Sequence, residues 1–424
     1  MYHSNASEET LHEPHVIIDE KEEECPLVPP DGGWEAWRVT LGASLIMLIQ
    51  MGFVSSYGTL EAYYVEVKLN DKTESEISWI GSVQVFFTYF LGLFCGKIFD
   101  SYGTRWTLLT GTILFPFSLL LLSFSTQYWQ MMLTQGILLG IASGCLFHPS
   151  MIVVSHWFNS KRALATGITT AGTAIGTQLR YIIVVLTGFE WAMRVISFIS
   201  LAVLLVCNLL VKPFYPPKKS PLLNGLFEGF KDFKLCLLIA SSCLIYFGFF
   251  IPNFYLTVYA ESIGMDENLS YYCLTFLNIG SLLGRISIPY AADKLGRFNL
   301  TAASALVTVV SIFGLWLGCP NTAGVLAFSV MYGIFGTPSM ALVSACCAEI
   351  SEKHQVGTRN GLLRFTMSFP ILAGPPLAGE LVRVTKVASG YQNLIILTGL
   401  SWLAGSVLLV YCRLMVSKSL KRRV

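Results

Sequence analysis

Long runs of apolar residues alternate along the chain with short polar or turn-forming connections such as Asp100–Gly103 and Cys319–Thr322. A membrane-spanning helix needs about 20 consecutive, mostly apolar residues. The pattern therefore predicts an all-α, polytopic membrane protein with twelve transmembrane helices. The predicted spans are 38–59, 77–96, 106–125, 129–151, 163–187, 191–211, 236–258, 270–291, 299–318, 322–345, 360–382 and 391–412.

One connection differs from the others in length and composition. Residues 212–235 are rich in proline, contain five lysines and separate the sixth predicted span from the seventh. The chain is thus predicted to consist of two six-helix halves, 31–211 and 236–413, joined by a basic linker. An acidic, disordered tail (1–30) precedes the first half, and a basic tail (414–424) follows the second.

Composition excludes several classes of protein. Hydrophobic residues make up 54% of the chain and charged residues 13%, about half the charged fraction of ordinary globular proteins. A soluble enzyme, a disordered scaffold and a nucleic-acid binder all need more solvated charge than this. The eleven cysteines show no metal-ligand spacing. We therefore predict a lipid-embedded protein without a metal or cofactor.

The distribution of Lys and Arg predicts the orientation of the chain in the membrane. With the amino terminus in the cytosol, 21 basic residues lie in cytosolic connections and tails and five on the opposite side. Cytosolic connections carry an excess of Lys and Arg. Both termini and the linker 212–235 are therefore predicted to be cytosolic.

A short pattern recurs after the second and eighth predicted spans, at an offset of 193 residues. Such a repeat is typical of transporters built from two related halves. The pattern resembles the cytoplasmic loop signature of the major facilitator superfamily, and the resemblance implies that superfamily's fold. The second copy has Pro289 in place of the glycine and its arginine displaced by one residue. The first copy contains Gly96, Asp100, Gly103 and Arg105, and the second contains Asp293 and Gly296.

A second motif precedes the first span. It comprises Asp31, Gly32, Gly33, Trp34 and Trp37, and it resembles the D-G-G-[WF]-x-W signature of the monocarboxylate transporter family. Generic anchoring at the membrane interface is the alternative explanation for the two tryptophans. The stretches 157–167, 188–194, 278–285 and 357–361 are most similar to fungal-type members of that family. The resemblance covers about 31–413 and implies a transporter that works by alternating access.

Arg285 is the foremost candidate for substrate binding. An ionisable side chain inside the membrane costs about 2.5–3.5 kcal/mol on insertion scales, so each one needs a reason. The position of Arg285 matches the arginine that monocarboxylate transporters use to bind a substrate carboxylate, and a guanidinium fork suits that group. A structural pair is the alternative. Ser281 stands where proton-linked members have Asp.

Four further residues are predicted to line the substrate cavity. Arg180 is the second arginine within a predicted span, and it could instead extend to the membrane interface. His148 is the single histidine within a predicted span and could equally be a packed, neutral residue. Asn278 and Tyr57 are polar groups at positions that can face a cavity.

These features favour a secondary active or facilitative transporter of a small organic solute, namely a monocarboxylate-like acid, a vitamin or a secondary metabolite. A metabolite efflux carrier is the alternative within transporters, and a receptor or an intramembrane enzyme is the alternative outside them. The predicted partners are the small-molecule substrate and the lipid bilayer, without nucleic acid, and the sequence identifies no accessory protein. The plasma membrane is the expected location, with the vacuolar or another internal membrane as the alternative.

Proton coupling is not predicted. A proton symporter needs a group in its cavity that gains and loses a proton, usually Asp, Glu or His. The centres of the twelve spans contain no Asp or Glu, and only His148 remains. We therefore expect facilitated transport or exchange.

Overall fold

The computed structural model describes residues 29–216, 227–352, 355–385 and 389–417, and within these ranges it contains helices and no strands. Most of the predicted acidic tail, part of the linker 212–235 and the end of the basic tail lie outside the described residues.

In the described ranges, twelve helical segments cross the bundle, as the apolar runs predict. The first six are α1 (Gly33–Ser55, continued by Tyr57–Tyr63 and the π-helical Tyr64–Lys68), α2 (Glu74–Phe90 and Gly92–Tyr102), α3 (Arg105–Ser123), α4 (Tyr128–Met131, the π-helical Met132–Leu139 and Gly140–Trp157), α5 (Arg162–Thr187) and α6 (Phe189–Leu210). The last six are α7 (Phe233–Phe249 and Ile251–Ser262), α8 (Glu267–Leu295), α9 (Arg297–Ser311 and the π-helical Ile312–Leu317), α10 (Thr322–Phe335 and Ser339–Glu349), α11 (Val356–Thr385) and α12 (Ser389–Val416).

Nine helices in the described part of the chain are long and apolar enough to cross a membrane. The other three, α5, α8 and α11, have 26, 29 and 30 residues, which is also sufficient length. Each of these three carries an arginine in its interior: Arg180, Arg285 and Arg364 respectively. The prediction of a polytopic helical membrane protein is confirmed.

The ends of several helices are set by local residues. The Thr73 side chain accepts a hydrogen bond from the Glu76 backbone N–H, and the Glu76 carboxylate accepts one from the Thr73 N–H, so a capping box begins α2. Gly103 and Gly296, both in the repeated pattern, follow α2 and α8 with φ values of 78° and 103°. Glycine adopts this left-handed region without the steric cost of a Cβ atom, which explains the repeated glycine.

Two helices are broken at related positions. α1 is interrupted at Ser56 and α7 at Phe250, an offset of 194 residues that nearly equals the offset of the repeated pattern. A broken helix leaves backbone groups that lipid cannot satisfy, so such breaks are tolerated only where protein or a cavity surrounds them. Both breaks lie beside the cavity described below.

Among the described residues, four helices form most of the contact between the two halves. α2 packs against α11, and α5 packs against α8. Inside a membrane the hydrophobic effect does not drive helices together, so they associate through close packing, and small residues let two helix backbones approach closely. A Cβ atom on Gly167 of α5 would lie 2.2 Å from the Arg285 carbonyl oxygen of α8, and one on Gly96 of α2 would lie 2.5 Å from the Gly357 carbonyl oxygen of α11.

Candidate functional site

A small cavity lies at the centre of the bundle, between the halves. We call it the central cavity. It has a volume of about 20 Å³, which is room for about one water molecule. Its lining comes from α1, α5, α7, α8, α10 and the turn before the second part of α10. The lining residues are Met51, Ser55, Thr173, Phe249, Phe250, Asn253, Leu277, Asn278, Ser281, Arg285, Thr337 and Met340.

Arg285 is the ionisable side chain of this lining. Its Nε donates to Ser281 Oγ at 2.9 Å, and its Nη1 donates to the Thr170 carbonyl oxygen of α5 at 2.7 Å. The Thr337 hydroxyl donates to the same Ser281 Oγ at 2.9 Å. The partners of Arg285 are therefore neutral, and one belongs to the opposite half. None of the ion pairs found in the described ranges involves Arg285, which is 4% exposed.

Two carboxylates close one end of the bundle. We call this end, which carries Asp31, Asp100 and Asp293, the terminal face. Asp293 at the end of α8 accepts the backbone N–H groups of Ala163 and Leu164, at 3.1 and 2.8 Å, at the start of α5. The first N–H groups of a helix have no partner within it, and its N-terminus favours negative charge. Asp293 therefore caps a helix of the other half.

Asp100 makes the related contact at the start of α11. Its carboxylate accepts the Thr358 backbone N–H at 2.9 Å and the Thr358 hydroxyl at 2.8 Å. Together with the Asp293 contact, this closes the terminal face. Arg105, which the repeat placed near Asp100, is exposed and makes no ion pair among the described residues. In the second copy, Asp293 pairs with Arg297 at 3.1 Å.

Aromatic residues close the cavity toward the opposite face. The rings of Tyr57 and Phe254 lie 5.2 Å apart, and a Cβ on Gly58 would lie 2.9 Å from the Asn253 carbonyl oxygen. Tyr57 is buried and donates its hydroxyl to the Ile77 carbonyl oxygen at 2.5 Å. The two halves thus contact each other at both ends of the bundle, on either side of the cavity.

The predicted site residues do not all meet in this cavity. Asn278 lines it beside Arg285 and donates to the Leu274 carbonyl oxygen at 2.8 Å. Tyr57 lies between the cavity and the opposite face, where its ring contacts Phe254. His148 is buried and pairs through Nε2 with the Thr88 carbonyl oxygen at 2.8 Å, outside the lining.

Arg180 also lies outside the lining. It is ten residues beyond Thr170 on α5, about 15 Å nearer the opposite face. Its Nη1 donates to Ser56 Oγ at 2.7 Å, and its guanidinium lies 4.0 Å from the centre of the Phe53 ring. Arg180 therefore connects α5 to the break in α1, and it has no ion-pair partner in the described part of the chain.

The motif before α1 fastens the start of that helix to the connection between α4 and α5. The Asp31 carboxylate accepts the backbone N–H groups of Asn159 and Ser160, and the Asp31 N–H donates to the Trp157 carbonyl oxygen at 3.3 Å. The backbone φ angles of Asp31, Gly32 and Gly33 are 54°, 157° and 85° respectively. This arrangement positions α1 and lies far from the cavity.

The two tryptophans of the motif have different surroundings. Trp37 packs edge-on against Phe158, with ring centres 5.1 Å apart, whereas Trp34 is 81% exposed. Exposure at the helix start is typical of anchoring at a membrane interface.

One interior arginine was missed by the sequence reasoning, which counted Arg364 with the basic residues of a cytosolic connection. Arg364 lies in α11 and is 1% exposed. Its Nη2 donates to the Met340 carbonyl oxygen at 2.8 Å and to Ser344 Oγ at 2.5 Å. A signal was available, because the eleventh predicted span begins at residue 360 and so already includes this arginine.

No cluster of three or more His, Cys, Asp or Glu side chains in the described ranges is arranged to hold a metal ion. That the protein needs no cofactor stays a prediction.

Comparison with known proteins gives the family. The profile described as Major Facilitator Superfamily matches residues 39–375. The MFS transporter asaE of Aspergillus flavus is 33% identical over 398 residues, covering 92% of this chain and 90% of that protein. The fujikurins efflux protein of Gibberella fujikuroi is 31% identical and covers 92% and 85%. The aspyridones efflux protein apdF of Emericella nidulans is 33% identical and covers 83% and 73%.

A solved structure shares the fold. The human organic anion transporter MFSD10 (TETRAN) superposes with a TM-score of 0.73 at 14% sequence identity, covering 89% of this chain and 100% of that one. Twelve helices, the repeated pattern and these matches agree, and the chain belongs to the major facilitator superfamily of transmembrane transporters.

Proposed function

We propose that this transporter exports an acidic secondary metabolite and that Arg285 binds the acid group. The observation that carries the proposal is a buried guanidinium that lines the central cavity and has only neutral partners. A buried charge without a counter-ion is unfavourable, and an anionic substrate supplies the missing partner. Two relatives are named efflux proteins, for fujikurins and for aspyridones, which supports export, and the fold neighbour is named an organic anion transporter.

Substrate binding is coupled to opening by one hydrogen bond. Arg285 Nη1 on α8 donates to the Thr170 carbonyl oxygen on α5, across the contact between the halves. When α5 and α8 separate at the terminal face, this donor is released. A carboxylate that enters from that side then accepts both N–H groups of the guanidinium edge, which is a stronger contact than a single neutral acceptor provides.

Alternating access follows from the two closures. Opening the terminal face breaks the Asp100 and Asp293 contacts, and opening the opposite face separates Tyr57 from Phe254. Rocking of two six-helix halves about a midplane site is the general mechanism for this architecture. We assign the halves to 31–211 and 236–413, with 212–235 as the linker.

Orientation and location belong to the same proposal. The excess of Lys and Arg on the terminal face supports a cytosolic terminal face with both chain ends in the cytosol. Export then carries the metabolite from the cytosol outward, and we place the protein in the plasma membrane. We further propose that it is a carrier rather than an enzyme and that it is related to the monocarboxylate transporters, on the strength of the Asp31–Trp37 motif.

The test compares acids with their neutral amides. Purified protein is mixed with 1-naphthoate, cinnamate or indole-3-acetate, each beside its amide, and thermal stabilisation is measured. We expect stabilisation by an acid and not by its amide, and loss of this difference in Arg285→Lys, which keeps the charge and loses the fork. Arg194→Lys is the matched control, because Arg194 stacks on Phe124 and Trp191 outside the cavity.

Export itself is measured with the acid that stabilises most strongly. Proteoliposomes loaded with that acid should lose it through the wild-type protein and through Arg194→Lys, and at least about tenfold more slowly through Arg285→Lys. Equal stabilisation by acids and amides, or normal transport by a well-folded Arg285→Lys protein, would refute the proposal.

A further inference from the structure

Arg364 has a buried N–H group that makes no hydrogen bond of normal geometry. Its Nη2 is used within the second half, on Met340 and Ser344 of α10. Its Nη1 is buried and has no hydrogen-bond partner. An N–H group of a cation that is removed from water and left unpaired is strongly unfavourable. A structural role in joining α10 to α11 therefore accounts for the burial of Nη2 but not for the burial of Nη1.

The Arg364 guanidinium faces aromatic residues of the first half. It lies 5.5 Å from the centre of the Tyr89 ring on α2 and 5.4 Å from the centre of the Phe147 ring on α4. Aromatic faces attract cations and offset part of the missing solvation. His148, beside Phe147, is in electrostatic range of Arg364 and is itself bonded to the Thr88 carbonyl oxygen.

Two tyrosine hydroxyls in the same region are also unsatisfied. The Tyr89 hydroxyl interacts with the Arg364 guanidinium but makes no hydrogen bond of normal geometry, and the Tyr246 hydroxyl of α7 makes none. The two rings lie 6.1 Å apart. Tyr89 is in electrostatic range of both Arg285 and Arg364, and Tyr246 is in range of Arg285. The hydroxyls thus lie in the region shared by the two guanidinium groups.

A thin wall separates this region from the central cavity. Met340, whose carbonyl oxygen accepts from Arg364, lines the cavity. Phe249 also lines the cavity, and its ring stacks on Tyr246 with centres 4.8 Å apart. Tyr89 belongs to the first half, whereas Arg364 and Tyr246 belong to the second. Separation of the halves would widen the cavity beside Arg364 and Tyr246, and closure would bring Tyr89 back to these two groups.

The groups gathered here share one chemistry. Arg285, Arg364, Tyr89 and Tyr246 all offer N–H or O–H donors, and no ion pair among the described residues supplies an acidic partner to either arginine. Their complement is a molecule rich in acceptor oxygens and negative charge. A single carboxylate bound to Arg285 leaves the Arg364 nitrogen and the hydroxyls unsatisfied.

We propose that Arg364, Tyr89 and Tyr246 form a second anion-binding pole, so that the transported molecule is an organic anion with acceptor oxygens at two separate ends, as in a diacid. The inference rests on the proposed function, in which Arg285 binds the first acid group. It adds a specificity-determining site to that group and narrows the substrate class from acids in general to two-ended acids.

The experiment uses benzoate and terephthalate as probes, because they share one ring and differ in a second carboxylate on the opposite side. Binding to the full-length purified protein is measured by calorimetry. We expect terephthalate to bind the wild-type protein about tenfold to hundredfold more tightly than benzoate, the gain of charge-assisted hydrogen bonds. Tyr89→Phe, Tyr246→Phe and Arg364→Gln should reduce this ratio and leave benzoate binding nearly unchanged.

The controls separate this inference from the proposed function. Tyr128→Phe removes a hydroxyl that donates to the Glu76 carbonyl oxygen far from the cavity, and it should leave the ratio intact. The two Tyr→Phe variants retain packing, so they decide the matter even where Arg364→Gln fails to fold. Arg285→Lys should weaken both probes.

Two results would overturn the inference. One is that the wild-type protein binds terephthalate no more tightly than benzoate, and the other is that both Tyr→Phe variants keep the full ratio. In either case, weaker benzoate binding by Arg285→Lys would still support the proposed function. If Arg285→Lys binds both probes as tightly as the wild-type protein does, the proposed function itself is refuted.

Discussion

Replacing Asp293 by Asn tests the closure of the terminal face with a minimal change of shape. The substitution removes the negative charge that caps α5 and keeps one carbonyl oxygen as an acceptor. Asp293 accepts N–H groups from Ala163 and Leu164 of the other half, and it also pairs with Arg297 of its own half at 3.1 Å. The substitution therefore weakens the contact between halves and leaves the packing of α8 in place.

The magnitude follows from those contacts. A hydrogen bond to a charged group contributes about 1.5–3 kcal/mol, against about 0.5–1.5 kcal/mol for a neutral one. The helix N-terminus adds about 0.3–1 kcal/mol for a negative charge. Because Arg297 offsets part of the Asp293 charge, the low end of the range applies: two charged bonds contribute about 3 kcal/mol, one neutral bond of about 1 kcal/mol is retained, and the closed state loses about 2 kcal/mol relative to the open state. Because 1.36 kcal/mol corresponds to a factor of ten, the population of the open state should rise about thirtyfold.

Hydrogen exchange of the protein in nanodiscs measures this shift. The Ala163 and Leu164 amides should lose protection by about the same factor, because opening exposes them to solvent. Glu349→Gln is the matched control, since it removes the other carboxylate near Arg297, at 3.6 Å, without touching a bond between the halves. If Asp293→Asn exchanges at these amides no faster than the wild-type protein, the carboxylate cap does not hold the terminal face closed.

Three further predictions follow from the same structure. Gly167→Ala places a methyl group 2.2 Å from a backbone carbonyl oxygen of α8 and should lower the free energy of unfolding by about 1–3 kcal/mol. The control Gly314→Ala places its methyl group in open space and should leave that free energy unchanged. Equal unfolding temperatures for the two variants would contradict this prediction. A cysteine introduced into the linker 212–235 should react only from the cytosolic side, and labelling from outside intact cells would reverse the orientation. A pH gradient should not drive accumulation of the substrate in proteoliposomes. Accumulation that a protonophore abolishes would contradict this, and its loss in His148→Gln would identify His148 as the proton carrier.

Hydropathy predicted the number of helices well and their ends less well. The eleventh span was predicted at 360–382, whereas α11 extends over Val356–Thr385. Gly357, Thr358 and Arg359 are typical of a loop, yet Asp100 of the other half caps Thr358 and stabilises the extra turn. A contact between distant parts of the chain thus overrides a local pattern.

The candidate site was only partly predictable for a similar reason. Arg285 stands in an apolar run and is conspicuous in the sequence, and the structure places it in the cavity with Asn278. Arg364 follows the basic segment 353–359 and counts with it in the charge distribution, although it lies about two turns inside α11 and its side chain is buried. Hydropathy averages over a window, so it cannot report which way one long side chain extends.

The resemblance to known transporters predicted the superfamily, and that prediction is confirmed. It did not predict which contacts close the terminal face. The repeated pattern places an Asp and an Arg only a few residues apart in each half. In the first copy, Asp100 bonds Thr358, whereas in the second copy Asp293 bonds both Arg297 and the start of α5. Spacing along a chain identifies the participants, but the partner of a carboxylate depends on which helix start the fold brings beside it.

The two carboxylate caps also bear on how such a chain can arise. Each half offers an acid at the end of its second helix and an uncapped start of its fifth helix, and each acid serves the fifth helix of the other half. In a symmetric dimer of one six-helix unit, the acid of each subunit would bond the fifth helix of the other subunit, so both contacts would form. Joining two such units in one gene preserves both contacts from the outset. Thereafter one copy can diverge, as Pro289 has from Gly96, while the contact made by the other copy is kept.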